Sequence, residues 1–226
     1  MLPFEISEKF RDFNKLYPEC EHLVQIIKSA TYNENLEIAR LWLSEGIPYA
    51  FKNCPILYEK MRGWMALRFG IHAKEITLIG SGRIGYSLAP PPKLGKAFNN
   101  TSDLDFSAIT NKLFDKCVFA FALWSDDFSK GIVSPMNSAE KFYWEENLKT
   151  VPNNISKGFI DPYKIPLRDK YKIAQIIENT LWMLKERLIR TKFAPQIKRA
   201  TLRVYKSWDA FLNQLRINLS SSLMKT

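Results

Sequence analysis

Apolar residues recur at helical spacing through the N-terminal third of the chain. Ser7 can cap a first helix, which Pro18 interrupts before the apolar face resumes. A second helix is predicted over 36–45, and Gly46 is well placed as its C-terminal cap. The chain is therefore expected to begin with helices and without a strand.

The period of the apolar pattern then changes. A helix is predicted over 56–69, between Pro55 at its first turn and Gly70 at its end. Residues 75–79 form a short apolar run typical of a buried strand, and 103–109 form the second strand. A proline-containing loop separates the two strands.

The remainder predicts mostly helix. Helices are expected over 111–128 and 138–148, with one weak strand at 157–160. From 168 onward the pattern indicates helix alone, and the last helix is predicted over about 195–219. We expect an α+β fold, in which a small sheet is flanked by helices and followed by a C-terminal helical part.

Composition narrows the class of protein. The 226 residues suffice for one large or two small domains, and 46% hydrophobic with 25% charged residues is ordinary for a globular chain. The net charge of +10, from 33 Lys and Arg against 23 Asp and Glu, favours anionic partners such as nucleotides or nucleic acid. A merely basic globular protein would have the same charge.

The number and spacing of the cysteines argue against a zinc site and against a disulfide framework. Cys20, Cys54 and Cys117 are widely spaced and odd in number, so neither a zinc site nor a disulfide framework is indicated.

The start of the chain lacks a basic segment followed by an apolar run, which predicts no signal peptide. The apolar run at 117–124 is far shorter than the ~20 residues that span a bilayer, so we expect a soluble, cytoplasmic protein.

The candidate chemistry lies at the two strands. Gly80 and Ser81 follow the first, and Asp103 and Asp105 lie two apart in the second, so their carboxylates project from the same face. Gly80 lets the backbone approach a phosphate, Ser81 offers a hydroxyl and an amide, and Arg83 can add a charged contact. Two carboxylates so spaced can hold paired Mg²⁺ ions for an in-line displacement. A solvated acidic pair at a strand start is the alternative.

The same glycines also satisfy a dinucleotide-binding fingerprint. Gly80, Gly82 and Gly85 fit G-x-G-x-x-G, and Asp103 lies roughly 20 positions later, as a ribose-binding carboxylate would. That fold needs a full crossover helix between two parallel strands. Only 83–88 is available before three consecutive prolines, which argues against this NAD-binding alternative.

The Gly80-Ser81 and Asp103-Leu104-Asp105 pattern resembles the signature of the DNA polymerase β-like nucleotidyltransferase superfamily. The resemblance implies a nucleotidyltransferase core over 1–165, with N-terminal helices, and a helical region over 166–226 packed on it. The gap between the two motifs is longer than in minimal members. This gap and the helical C-terminal part look more like stand-alone nucleotidyltransferases of bacterial antiviral defence, and a Hailong-like enzyme is one candidate.

The resemblance also implies cofactors and partners. It implies Mg²⁺, or Mn²⁺, as the cofactor, a nucleoside triphosphate as donor, and an acceptor that is a nucleotide, an oligonucleotide, tRNA or a protein. A partner effector or toxin protein is a further expectation. A third carboxylate usually completes the metal site, and Asp161 is the candidate because it ends an apolar stretch; a turn residue before Pro162 is the alternative.

Basic residues crowd the predicted last helices. Lys198, Arg199 and Arg203 are expected to hold phosphate across a cleft from the acidic pair, with Tyr205 or Trp208 stacking on a base. An ordinary solvated helix face with buried aromatics is the alternative. Ser220, Ser221, Ser222 and Thr226 offer hydroxyls for self-nucleotidylation. A frayed chain end without such a role is the alternative.

Three functions follow as hypotheses. The first is a Mg²⁺-dependent nucleotidyltransferase with Asp103, Asp105 and Asp161 as metal ligands. The second is a catalytically silent nucleotide-binding or antitoxin-like module. The third is an NAD-binding oxidoreductase.

Overall fold

The structure, a computed structural model, describes residues 8–11, 13 and 15–223, without the side chains of 11 and 220–223. Nine α-helices lie in this part of the chain: α1 (Glu8–Arg11), α2 (Cys20–Ser29), α3 (Tyr32–Leu41), α4 (Pro55–Phe69), α5 (Ser81–Ile84), α6 (Asn111–Ser129), α7 (Ser138–Ser156), α8 (Lys172–Ile189) and α9 (Trp208–Leu223). Four strands accompany them: β1 (Ile76–Ile79), β2 (Asp103–Ile109), β3 (Phe159–Ile160) and β4 (Arg199–Tyr205). The expected α+β class is confirmed.

The four strands form one mixed sheet in the order β1-β2-β4-β3. β1 and β3 run antiparallel to their neighbours, whereas β2 and β4 are parallel along their whole length, with Asp103 opposite Arg199 and Ile109 opposite Tyr205. The dinucleotide alternative needs β1 and β2 to be parallel, so the antiparallel pairing argues against it.

Helices cover both faces of the sheet. On one face, alternate strand residues such as Leu104 and Phe106 pack against α4, α6, α7 and α8. On the other, Ile109 and Tyr205 pack with α2, α3 and α9 at one end of the strands. The acidic residues at the opposite end of β2 belong to this second face, because they alternate with the core residues.

Local signals explain several element ends. α4 begins with Pro55 and ends at Gly70, whose φ of 68° matches a left-handed cap, as predicted. β2 has the predicted bounds. The second predicted helix is wrong in its end, because α3 stops at Leu41 and Gly46 lies beyond it. α7 continues to Ser156, two turns past the predicted end, with Pro152 inside it.

The last quarter of the chain differs most from the prediction. Residues from 168 onward were expected to be helical, but β4 interrupts them and lies in the middle of the sheet. The region assigned to a helical part at 166–226 therefore contributes a central strand to the core. α9 includes the terminal serines in its last turns.

Some expectations fall on other residues. The capping role of Ser7, the leader-free start and the hydroxyl of Thr226 lie outside the described residues. Among the described helices, none combines the length and apolar character needed to cross a membrane.

Candidate active site

Gly80 brings the end of β1 against the acidic strand. Ile79 pairs with Asp105 across the sheet, and Gly80 follows with φ 67° and ψ −152°, a conformation that is open essentially to glycine alone. A Cβ atom at this position would lie 3.2 Å from Oδ2 of Asp105. The backbone conformation therefore requires glycine here, and an added Cβ would also press on the carboxylate of Asp105. The structure brings Gly80 and Asp105 together, as the motif predicted.

Ser81 occupies the turn that follows. It is half-buried and begins the short α5, and the turn is closed by the Arg83 N–H, which donates to the Gly80 carbonyl at 3.0 Å. No hydrogen bond from the Ser81 hydroxyl is present within the described residues. The hydroxyl is therefore free to bind a ligand next to Asp105.

The acidic pair projects from the second face of the sheet. Asp103 and Asp105 are half-buried and alternate with Leu104 and Phe106, which are buried in the core. Because side chains alternate along a strand, the two carboxylates share a face. The predicted juxtaposition of these two acids is present in the structure.

β4 supplies a partner to each carboxylate. Arg199 Nε donates to Asp103 Oδ2 at 2.8 Å, and Thr201 Oγ1 donates to Asp105 Oδ1 at 2.7 Å. Arg203 donates to both oxygens of Asp161, from Nε at 2.7 Å and from Nη2 at 3.2 Å. Three alternate residues of β4 thus each donate a hydrogen bond to one of the three carboxylates.

The environment raises three pKa values. Burial, followed by the charge of Asp103, raises the pKa of Asp105, although the Thr201 hydrogen bond and the nearby arginines oppose the shift. The hydrogen bond and charge of Asp103 raise the pKa of Arg199. Burial alone would lower the pKa of Arg203. The hydrogen bond and the charge of Asp161 have the larger combined effect, so the pKa of Arg203 is raised. The site holds closely coupled charges of both signs.

Asp103 and Asp105 both supply the kind of oxygen ligand that a hard divalent cation prefers. Asp103 Oδ1 is buried and has no hydrogen-bond partner within the described residues, so it retains an unused acceptor beside Asp105. Carboxylate oxygens are the ligands that Mg²⁺ and Mn²⁺ prefer. Asp103 and Asp105 therefore suit the ion that the motif implies.

Asp161 does not join them. It follows β3, which is separated from β2 by β4, a lateral distance of ~10 Å for two strand spacings. Within the described residues, no group of three or more His, Cys, Asp or Glu is arranged to hold a metal ion. The expectation of a three-carboxylate cluster is therefore not met by this arrangement, and Asp161 instead pairs with Arg203.

Two cavities meet at Asp105. The larger, about 540 Å³, is lined by Gly80, Asp105, Asp161, Arg199 and Arg203, and it continues to β3 and α8. A second, about 320 Å³, shares Gly80 and Asp105 and adds Ser81 and the end of α9. Asp105 is thus accessible from both sides, as a residue between two bound groups would be.

Arg83 is placed differently from the prediction. Only 5% of its surface is exposed, and its guanidinium donates to the carbonyl oxygen of Ile47 at 3.0 Å and of Leu41 at 3.5 Å. Burial lowers its pKa. Arg83 anchors the segment after α3 rather than facing the acids, so the expected contact with a triphosphate is not supported.

The basic residues share a strand rather than a helix. Arg199 and Arg203 lie on the same face of β4 because four residues make two full strand periods. Lys198 precedes the strand; its backbone N–H donates to Ser102, and its side chain is exposed. The expected proximity of the arginines to the acids is observed, but as direct ion pairs and not across a cleft.

The aromatic residues proposed to stack on a base do not reach the site equally. Tyr205 is only 1% exposed and packs on Phe211, so it belongs to the core. Trp208 lies at the start of α9, beyond the end of β4, and does not line either cavity. Tyr163 lines the larger cavity instead, and no sequence pattern singled it out.

Thr201 was also missed. Its signal was present, because Arg199–Tyr205 alternates polar and apolar residues with the period of a strand. The alternation was hidden by arginines whose spacing fits a helix as well.

No protein family model, no curated protein and no solved structure matches this chain.

Proposed function

We propose that this protein is a divalent-metal-dependent nucleotidyltransferase. The observation that carries the proposal is the contact between the Gly80 turn and Asp105, at the junction of two cavities, with Asp103 on the same strand face. This arrangement offers a backbone turn without a side chain, a free hydroxyl and two carboxylates within one small region. Those groups suit a polyphosphate and its ions.

Asp103 and Asp105 would hold Mg²⁺ or Mn²⁺ through their carboxylate oxygens. When bound, such ions stabilise the charge on the attacking and leaving oxygens of an in-line displacement at phosphorus. Thr201 fixes the orientation of Asp105 through the hydrogen bond to Oδ1 and leaves Oδ2 directed at Gly80. The protein thereby presents one carboxylate in a defined position.

The remaining residues bind and orient the substrates. Ser81 would donate its hydroxyl to phosphate oxygens next to Gly80, and Arg199 and Arg203 line the larger cavity as cationic partners for phosphate. Lys198, exposed beside Arg199, would add a looser contact. Asp161 positions the Arg203 guanidinium through two hydrogen bonds.

The proposed reaction transfers NMP or dNMP from a nucleoside triphosphate to a hydroxyl: the hydroxyl oxygen loses its proton and bonds to the α-phosphorus, and the bond to the leaving pyrophosphate breaks. The acceptor is proposed to be a nucleotide, an oligonucleotide, tRNA or a protein, and a role in antiviral defence with a partner effector or toxin protein is part of the proposal. The net charge of +10 is consistent with an anionic substrate.

Incubation with α-labelled NTPs and dNTPs and Mg²⁺ tests the proposal. The wild-type protein should transfer label to a small product or to protein, as read by mass spectrometry, and Asp103→Ala with Asp105→Ala should abolish it. Asp126→Ala, at an exposed acid on α6, is the matched control and should retain activity. Equal product from the double variant would refute the proposal.

One observation favours a second candidate, a catalytically silent nucleotide-binding module. Arg199 is bonded to Asp103, and no three-acid metal cluster is formed in the described part of the chain. Such a module would bind nucleoside triphosphates without turnover. Calorimetric binding together with the absence of product under every NTP, dNTP and divalent ion would favour it.

A further inference from the structure

The larger cavity includes a mostly apolar part, which we call the slot. The slot is lined by Pro162 and Tyr163 in the turn after β3 and by three α8 residues whose side chains are largely buried, Ala174, Ile177 and Leu181. Tyr163 is 67% exposed, although it is a large aromatic residue. The slot therefore offers an aromatic ring and an aliphatic surface next to the proposed phosphate-binding residues.

The size of the cavity suits a nucleotide. Its volume of about 540 Å³ lies within the ~300–1,000 Å³ typical of small-molecule sites. The arginines and Asp105 line one part of it, and the apolar slot lines another. A ligand with a charged end and a flat, apolar end matches this division.

Glu178 differs from the other acids of this cavity. Asp105 is bonded to Thr201, and Asp161 is bonded to Arg203. Glu178 lies on α8 beside Ile177, lines the cavity, and makes no hydrogen bond or ion pair within the described residues. Both of its carboxylate oxygens are therefore available as acceptors to a ligand in the slot.

We propose that this slot is the nucleobase subsite, in which Tyr163 stacks on the base and Glu178 selects bases that carry an exocyclic amino group. The inference rests on the proposed nucleotide-binding function of the same cavity. Stacking on an aromatic ring is tolerant of the base, because every base has a π-face, so Tyr163 supplies affinity without selection.

The selection follows from the acceptor character of Glu178. Adenine, cytosine and guanine each present an amino group that can donate to a carboxylate oxygen. Uracil and thymine present two carbonyl oxygens on either side of a single N–H, and the lone pairs of these oxygens would face the carboxylate and be repelled by it. The slot therefore takes adenine, cytosine or guanine nucleotides and disfavours uracil and thymine nucleotides.

Equilibrium binding of non-reacting triphosphates tests this inference. The α,β-methylene analogues of ATP, GTP, CTP and UTP, with Mg²⁺, are titrated into the full chain by calorimetry. The UTP analogue should bind about tenfold more weakly than the other three, the discrimination expected for a specific base contact. Binding of the UTP analogue as tightly as the others would overturn the selection.

Glu178→Gln should give a signature that a purely structural role would not. The amide keeps the size of the side chain but replaces one acceptor oxygen with a donor, which can bond a uracil carbonyl. Binding of the UTP analogue should strengthen while binding of the other three weakens. Glu186→Gln, on the same helix but outside the cavity, is the matched control and should leave all four affinities unchanged.

Tyr163→Ala isolates the stacking contribution. It should weaken all four analogues alike, by about tenfold, as expected for loss of one base–aromatic stack. Tyr143→Ala, at another exposed tyrosine that does not line this cavity, is the control. If Tyr163→Ala changes nothing, the slot is not the base subsite.

The outcomes separate the two proposals. If no analogue binds the wild-type protein, the proposed function fails. If all four bind equally and Glu178→Gln alters none of them, the base-selection inference fails while the proposed function stands.

Discussion

Arg199 of β4 donates through Nε to Oδ2 of Asp103 on β2 at 2.8 Å, so a residue proposed to bind phosphate is bonded to one proposed to bind the metal ion. Entry of a cation at Asp103 and release of Arg199 toward a triphosphate would then be linked. The Arg199 side chain is 66% exposed, so this ion pair is a weak one and can exchange partners.

Arg199→Gln should strengthen divalent-ion binding in the absence of nucleotide. An exposed ion pair contributes ~0.2–1 kcal/mol, so removing the competing cation should raise Mn²⁺ affinity by up to about fivefold. Titration followed by electron paramagnetic resonance measures free Mn²⁺. Arg190→Gln, at an exposed arginine paired with Glu186, is the control. Unchanged Mn²⁺ affinity in Arg199→Gln would contradict competition at Asp103.

Gly80→Ala should destabilise the protein and weaken triphosphate binding. The positive φ costs a non-glycine residue about 1–3 kcal/mol, and the new Cβ would lie 3.2 Å from Oδ2 of Asp105. Urea unfolding and calorimetry measure the two effects.

Gly63→Ala is the matched control. Gly63 is exposed inside α4, and outside the helix backbone no atom lies within 4 Å of the Cβ that alanine would add. Alanine should therefore stabilise the helix by about 0.5–1 kcal/mol. A stability loss at Gly80 no greater than the change at Gly63 would show that the turn is not constrained as described.

Arg203→Met should cost more stability than Asp161→Asn. Asp161 has only 6% of its side chain exposed, so removal of the guanidinium leaves a buried carboxylate without its cation. Because a third of Arg203 is in contact with solvent, we expect a loss of about 1–3 kcal/mol.

The double variant Asp161→Asn with Arg203→Met should recover part of this loss, since no unpaired carboxylate remains. Urea unfolding of all three variants gives the coupling free energy. Lys198→Met, at an exposed lysine, should change stability little. Additive effects of the two substitutions would indicate that the pair contributes no coupling.

Asp105→Asn should raise the thermal stability at neutral pH in the presence of EDTA. Burial is the main cause that raises the pKa of Asp105 in the folded protein. The side chain is therefore neutral and costs no stability below the unfolded pKa of about 3.9, and folding stability is lost as pH rises through the folded pKa. Asparagine removes the buried charge. We expect a Tm about 2–4 °C higher at pH 7 by calorimetry, with the difference vanishing in acid.

Asp127→Asn should behave in the opposite way. Hydrogen bonds from Lys170 and Tyr171 lower the pKa of Asp127, so its contribution to stability is present above the unfolded pKa and is lost as pH falls through the folded one. The variant should have a lower Tm than the wild type at pH 7 and the same Tm in strong acid. The same direction of change for both variants would contradict these assignments.

The sequence allowed prediction of the elements whose signals are local. α4 has proline at one end and glycine at the other, and β2 carries an alternating pattern between turn residues. The motif also predicted that Gly80 and Asp105 belong to one site, and the antiparallel pairing of β1 and β2, which the sequence did not predict, brings them together.

The partners of the carboxylates could not be predicted in this way. Arg199 and Asp103 are 96 residues apart, and the parallel pairing of their strands has no local signature. Arg83 follows the glycine turn in sequence, yet its guanidinium is buried against a carbonyl of the segment after α3. Such placements depend on tertiary packing, which no spacing in the sequence encodes.

The position of β4 has a consequence for biosynthesis. It is the last strand of this sheet to be translated, but it lies between β2 and β3 and supplies a bonding partner to each of the three acids. A nascent chain that has emerged only as far as α8 lacks the hydrogen-bonding partners of these three carboxylates. Without β4, β3 also has no neighbouring strand in the sheet. The proposed nucleotide binding would therefore require β4 to have been translated, and ribosome stalling before residue 199 should yield a protease-sensitive intermediate that binds no nucleotide.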